Sequence, residues 1–394
     1  MCRSAGLLAV LLLWLGGFCL PMAHADTFYV ALEGKESGDG SSKRPWPSVE
    51  YALSKLTGGQ TILVKPGIYF GGFMIPPTSN GTPTKPTVIK SQVKWSAKII
   101  GSAELGIYTA DRTAWIVIDG FEVVGALSDG VKLSGSHSVV RNCWIHNNSQ
   151  MGCSSHGQTA NTFENNLIEF NGQNIQLHHG IYADGEGLIV RNNIIRHNAA
   201  YGLHLYPAVK QGQVYNNLVY GHPYKAGILV QCPAGGGRNQ ILNNTSVDNA
   251  VALDIRNGIG EIVANNVLIV ATGDPIALSS NSTGVQIDYN LCKPRSSYGG
   301  SHSLSEAPLF VDESHQCYWL RPNSPCRANG NPLHASPTNF WSEVVSRKNP
   351  PDIGCFTYAA DLSSPAKRAG WYYGFPYRFD PHEGHDMVDF WDRK

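Results

Sequence analysis

The sequence is short of charge: Asp, Glu, Lys and Arg make up 15% of it, and 30 bases balance 30 acids. A chain with no net charge and no basic block has no footprint for a polyanionic backbone, so nucleic acid is not an expected partner. Past the first 25 residues it has no run of about 18 apolar residues, which leaves no candidate membrane-spanning helix. Long stretches with helical periodicity are scarce as well, and that argues against a helix bundle. No two cysteines stand at the close spacing of a zinc site. What the chain does have is Gly, Asn and many short β-branched runs, the composition of turns and short strands.

Residues 1–25, "MCRSAGLLAVLLLWLGGFCLPMAHA", join an early Arg3 to an apolar run and a small-x-small ending at Ala23-His24-Ala25. This reads as a cleaved secretory signal, with a mature chain from about Asp26 that is secreted to an extracellular or periplasmic space. Seven cysteines remain after it. An odd number leaves at least one thiol without an internal partner, and export favours disulfides over metal thiolates.

A phrase recurs along the chain: "IVIDGFEV", "VVRNCWI", "TFENNLI", "IVRNNII", "QVYNNLV", "ILNNTSV" and "IVANNVL". Its centres are Asp119, Asn142, Asn165, Asn192, Asn216, Asn243 and Asn265, separated by 23, 23, 27, 24, 27 and 22 residues. That period implies stacked supersecondary units, and the Leu-x-x-Leu-x-Leu frame of leucine-rich repeats is missing. Two or three short strands per unit, split by Asn and Gly, suit one turn of a parallel β-helix. Asn fits the bends because it tolerates left-handed backbone angles, and stacked Asn side chains can bond from coil to coil. Glycosylation of the Asn244 sequon is the weaker reading. The expected fold is all-β, a single-stranded parallel β-helix of about 8–10 coils.

With these segments the chain resembles the secreted right-handed parallel β-helix proteins of the pectate-lyase-like superfamily. "TFYVALEGKESGDGSSKRPWPSVEYALSKLTGGQTILVKPGIYFGGFMI" looks like that group's entry segment, and "APLFVDESHQCYWLRPNSPCRANG" with "DIGCF" looks like its closing segment. The resemblance implies a right-handed parallel β-helix domain over 26–356, with a short N-terminal capping helix and an irregular C-terminal cap, followed by an aromatic-rich tail at 357–394. The group usually has small residues where this chain has Cys326 and Cys355, so a Cys326–Cys355 bridge is expected, with Cys292–Cys317 as a second.

Downstream of each Asn pair lies another recurring phrase, "DGVKLS", "MGCSSH", "HGIYAD", "YGLHLY", "AGILVQ" and "VALDIR". Strand alternation sends Val131, Cys153, Ile181, Leu203, Ile228 and Leu253 inward, with Leu133, Ser155, Ala183, Leu205, Val230 and Ile255. Two outward columns follow, one of Lys132, Ser154, Tyr182, His204, Leu229 and Asp254, the other of Ser134, His156, Asp184, Tyr206, Gln231 and Arg256. A face meant only for solubility usually carries Lys, Glu, Ser and Thr, whereas this one carries His and Tyr. His178 shares the parity of Tyr182 and extends the patch, while His179 is expected at a turn or in the interior. His146 and His197 are expected to be structural, and Lys210, Lys225 and Arg238 lie in longer loops that wall a groove.

The superfamily acts mostly on polysaccharides, by β-elimination or C5 epimerisation of uronates or by hydrolysis. Hydrolysis needs two carboxylates about 5–9.5 Å apart. Asp184 and Asp254, three coils apart, are roughly 14 Å or more from each other. Elimination needs a base, an acid and a group that neutralises the substrate carboxylate. The residues assigned to it are His204 as base, Tyr182 or Tyr206 as base or acid, His156 and Asp184 as positioning groups, and Arg256, Gln231 or Lys132 on substrate carboxylates, with His178 and Asp254 at the binding face. "HGIYADGEGLIVRNNIIRHNAAYGLHLY" also resembles the catalytic coils of mannuronan C5-epimerases, but that family's Asp-Pro-His is not at the matching place. The tail holds a literal Asp380-Pro381-His382 outside the coils. No cofactor is required, though Ca²⁺ held through Asp184 and Glu186 is an alternative. The expected partner is an anionic polysaccharide bound by a monomer, with a non-catalytic carbohydrate-binding β-helix as the competing reading.

Overall fold

The computed structural model describes residues 26–101, 105–234 and 237–358. The expected signal at 1–25, the tail from 359 and its Asp380-Pro381-His382 lie outside the described residues. Among the described residues no helix is long and apolar enough to cross a membrane.

The chain winds as a parallel β-solenoid of about 10 turns. One sheet has 11 strands, from Thr27–Val30 to Gln286–Asp288, and a second has 17. The second sheet joins two faces of the coil, because the long strands Leu218–Gln231 and Thr245–Arg256 run round the corner between them. Leu218 pairs with Ile194 at one end of its strand, and Val230 pairs with Leu205 at the other. Val131, Cys153, Ile181, Leu203, Ile228 and Leu253 stack in register, each at 0% exposure. Each large aliphatic buried this way contributes about 1.5–3 kcal/mol. A one-residue slip would turn the whole column to solvent, which is why the register holds.

At the N-terminal end, Ser48 accepts the Tyr51 N–H at 3.1 Å and starts the helix Val49–Lys55. Val49, Ala52 and Leu53 on that helix are buried and close the end of the apolar core.

The Asn pairs divide two tasks between their members. The residue that opens each bend takes the left-handed conformation, with φ of 55° at Asn142, 56° at Asn165, 56° at Asn192, 55° at Asn216, 52° at Asn243, 61° at Asn265 and 56° at Tyr289; it is the first of an Asn pair except at Asn142, which Cys143 follows, and at Tyr289, which precedes Asn290. The second turns inward and builds an amide ladder through Asn166, Asn193, Asn217, Asn244, Asn266 and Asn290, with amide-to-carbonyl distances of 2.9–3.0 Å. Asn244 is at 0% exposure inside that ladder, so its side chain is closed to glycosylation. The outward Asn192, Asn216, Asn243 and Asn265 instead donate to the carbonyls of Phe340, Thr338, Asp352 and Asn331. The irregular C-terminal segment thus runs along the flank of the coils, where Trp144, Leu167, Ile194 and Leu218 pack against Tyr318, Phe340 and Phe356.

Neither expected disulfide is formed, since Cys292, Cys326 and Cys355 are all buried thiols. Cys292 packs in the core of the coils, whereas Cys317, on the separate strand Cys317–Leu320, belongs to the cluster under the C-terminal segment. Burial pushes the Cys326 and Cys355 thiols up to about 12. His146 ends the strand Trp144–His146 and so stands before the bend, where it meets Glu122 at 3.1 Å and stacks on Trp144, whereas His197 lies in the bend, at a φ of 51°, and stacks on Phe170.

A second ladder, through Asn148, Asn171, Asn198 and Asn249, contains one imidazole, His222. Its Nδ1 lies 2.9 Å from the Asn249 amide oxygen, its exposure is 0%, and burial holds its pKa down to about 3. The unfolded chain takes up that proton near pH 6.5, so between the two values it binds more protons than the folded chain. Stability is therefore full above the ordinary histidine range and falls as the solution is acidified. Urea unfolding curves should lose about 3 kcal/mol through His222 alone by about pH 4, and His222→Asn, which restores the amide ladder, should remove much of that loss. Equal pH dependence in the variant would contradict the assignment.

Candidate active site

The first outward column is present as expected: Lys132, Ser154, Tyr182, His204, Leu229 and Asp254 pair in register from coil to coil. Leu229 is nonetheless fully buried, roofed by Tyr201, Ala226 and Ala200. Ser154 donates to the buried Asp129 at 2.5 Å and so serves the wall of the site.

The second column does not form a continuous row. Pairing runs to Ala183 opposite Leu205 and resumes with Gly185 opposite Val209, so residues 206–208 bulge out against a single partner residue. Bulges of this kind re-aim a side chain, and here they push Tyr206 into solvent at 38% exposure. His156 lies just past the end of the strand Cys153–Ser155, and Gln231 and Arg256 remain paired.

His204 is the hub of what results. Its ring stacks on Tyr182 at 5.0 Å, on Tyr201 at 4.4 Å and on Tyr206 at 5.2 Å, and His156 meets Tyr182 edge-on at 4.2 Å. His204 Nδ1 is 2.8 Å from Nε2 of His179. His179 and Tyr201 are outside the set that strand alternation assigns to this face, because both lie in turns where alternation does not hold. Each stands one residue before a glycine, Gly180 or Gly202, in a column that includes Gly130, Gly152 and Gly227. A Cβ at Gly180 would come within 2.6 Å of the Gly202 carbonyl, and one at Gly202 within 2.7 Å of the Gly227 carbonyl. This glycine column is a sequence signal that fixes the preceding position, and it could have brought His179 and Tyr201 into the site.

Cations close one side. Arg256 is held at 2.9 Å by Asp254 with Tyr201 nearby, and Lys225 Nζ lies 5.6 Å over the Tyr201 ring. Burial, followed by the charges of Arg256, His156 and Lys225, lowers the His204 pKa to about 4. Burial and His204 take His179 to about 2. His156 is lowered by burial, with Asp184 and Asp129 opposing and Lys132 adding to the shift. Tyr182 is raised by burial and by Tyr206 and Asp184. All three imidazoles are neutral in neutral solution.

Several expected residues stand elsewhere or are otherwise engaged. His178 is outside the patch, because its Nδ1 accepts the backbone N–H groups of Gln173 and Asn174 at 3.0 and 3.1 Å and folds the loop before the strand. Asp184 is buried and accepts the Gly157 N–H, which anchors the loop behind His156. Glu186 faces Lys210 at 3.7 Å. Asp184 and Glu186 are thus committed to different partners, and no group of three or more His, Cys, Asp or Glu suited to a metal occurs among the described residues. Asp254 is paired to Arg256 and orients it rather than facing a substrate alone.

A family model described as right handed beta helix region matches residues 80–231 and 179–314. Pectate lyase PEL9 of Emericella nidulans is 24% identical over 219 residues, covering 50% of this chain and 53% of the relative, so the chain spans about half the length of the curated relative it matches. Among solved structures, pectate lyase Pel9A superposes with a TM-score of 0.61 at 18% identity, over 86% of this chain and 98% of that one. A glycoside hydrolase superposes with a TM-score of 0.58 at 9% identity, over 71% of this chain and 96% of that one. What these two structures share with the chain is the fold.

Proposed function

The chain belongs to the right-handed β-helix family, and on that premise we propose that it is a polysaccharide lyase cleaving a uronate-containing chain by β-elimination. The observation that carries this reading is His204, a neutral imidazole ringed by Tyr182, Tyr201 and Tyr206 with Arg256 and Lys225 beside it. The cations suit the substrate carboxylate, and Lys132 suits a neighbouring one near His156. In the reaction a base takes the proton from C5 and the electron pair forms the C4–C5 double bond. The O4 leaving group departs with a proton from an acid, and Tyr182 and Tyr206 flank His204 in places suited to both transfers. Hydrogen bonds to the carboxylate stabilise the enolate-like charge as it develops. Hydrolysis fits less well, since a hydrolase pair needs two carboxylates free to face the bond. Here Asp184 is tied to Gly157 and Asp254 to Arg256.

The unsaturated product absorbs in the ultraviolet. A panel of uronate polysaccharides, each alone with the purified protein, should give a steady absorbance rise on at least one polymer and none on neutral glucans. Binding to a uronate polymer with no rise and no shortening of the chain would sink the lyase reading in favour of a carbohydrate-binding β-helix.

A further inference from the structure

The hydrogen bonds behind His204 have a direction. His179 Nδ1 lies 3.4 Å from the backbone nitrogen of Tyr201 and accepts its N–H. An imidazole that accepts at Nδ1 and is neutral carries its proton on Nε2. That nitrogen is the one 2.8 Å from His204 Nδ1, so His179 donates and His204 accepts. We propose that His179 is a positioning residue that fixes the proton of His204 on Nε2, so that the site presents a neutral imidazole N–H to its substrate.

The reversed arrangement would set a His179 Nδ1–H against the Tyr201 N–H, two donors facing each other in a place where His179 is 3% exposed. The groups around His204 do not oppose the assignment. Tyr182, Tyr201, Tyr206 and His156 bring no carboxylate, Lys225 and Arg256 are cations, and the nearby carboxylate of Asp254 is taken by Arg256. Nothing in the cluster therefore favours the imidazolium. A fixed tautomer set by the far nitrogen's partner is how imidazoles are commonly held to one task.

The catalytic consequence rests on the lyase reading, whereas the tautomer does not. His204 in this form is poorly placed to take the C5 proton, the role that strand pattern alone gave it. It is suited to donate a hydrogen bond to the substrate carboxylate as negative charge builds there, as a neutral histidine can. Proton abstraction then falls to Tyr182 or Tyr206 as a phenolate, its own proton having passed to solvent before the C5 proton is taken.

The test is long-range ¹H–¹⁵N correlation of the histidine rings in the intact protein, with His204 assigned by its loss in H204Q. His204 should show a protonated, pyrrole-type Nε2 and a bare, pyridine-type Nδ1. In H179L this single form should give way to exchanging tautomers, and H179Q, whose amide can still donate, should restore it. On a cleaved polymer kcat should fall about 10–100-fold in H179L with KM little changed, and recover in H179Q. A native spectrum with the proton on Nδ1, or an unaltered His204 signal in H179L, overturns the proposal. The native spectrum decides the tautomer even if H179L does not fold. A correct tautomer without elimination on any polymer retires the lyase reading and leaves the role of His179 standing.

Discussion

His204→Ala should lower kcat for release of unsaturated sugar by about 10²–10³-fold, with KM changing far less. The size follows from the kind of hydrogen bond that the imidazole offers. A preorganised donor aimed at developing charge acts in the transition state far more than in the ground state, so its removal appears in turnover and not in binding. Lys225 and Arg256 remain to hold the carboxylate. The alanine variant also leaves the buried His179 Nε2–H without its acceptor, and that costs about 1–3 kcal/mol of stability. Circular dichroism at the assay temperature separates the two effects, because a loss confined to stability would vanish once the variant is shown to be folded. Tyr182→Phe is the companion measurement, since it keeps the ring stacked on His204 and removes only the hydroxyl. A folded alanine variant within about tenfold of native turnover would remove His204 from the chemistry and with it the centre of the proposed site.

How far this site was legible depended on where strands begin and end. Within the strands, alternation placed Lys132, Ser154, Tyr182, His204 and Asp254 on one outward row, and the registers agree residue by residue. Past a strand end the alternation has no physical basis. His178 and His179 lie in a turn that precedes Ile181, and there the buried member of the pair joins the site while the half-exposed one folds a loop. Tyr206 fails differently, because a bulge inserts residues that no period of two can anticipate. The Asn doublets were legible as bends. That the second Asn carries the continuous inner ladder is a matter of direction, one side chain pointing out of the coil and the next into it. Cysteine pairing was not legible, since neither spacing along the chain nor a shared cluster fixes the Cα separation and Cβ directions that a bridge needs.

The amide ladder sets the largest expected effect on stability. Asn217→Leu, close to isosteric and well matched to the apolar core, should cost about 4 kcal/mol or more in urea unfolding, although leucine buries more apolar surface. The Asn217 carbonyl oxygen accepts both the backbone N–H and the side-chain amide of Asn193, at 3.1 and 3.0 Å. Its own amide donates to the carbonyls of Val190 and Tyr215 and to Asn244. Leucine leaves two donors of Asn193 without their acceptor at positions closed to water, at about 1–3 kcal/mol each. Asn217 itself is at 0% exposure, so no solvent relieves them. Asn166, at the first rung, offers a control: its carbonyl oxygen accepts a single N–H, that of Cys143, at 3.0 Å, and its loss strands fewer groups. In a solenoid each coil is held mainly by its neighbours, so a lesion at a central rung weakens two interfaces. The expected order of destabilisation is therefore Asn217→Leu above Asn166→Leu. If the two substitutions cost the same, or if Asn217→Leu is neutral, the rod is held by its aliphatic columns and the amide ladder merely follows their register.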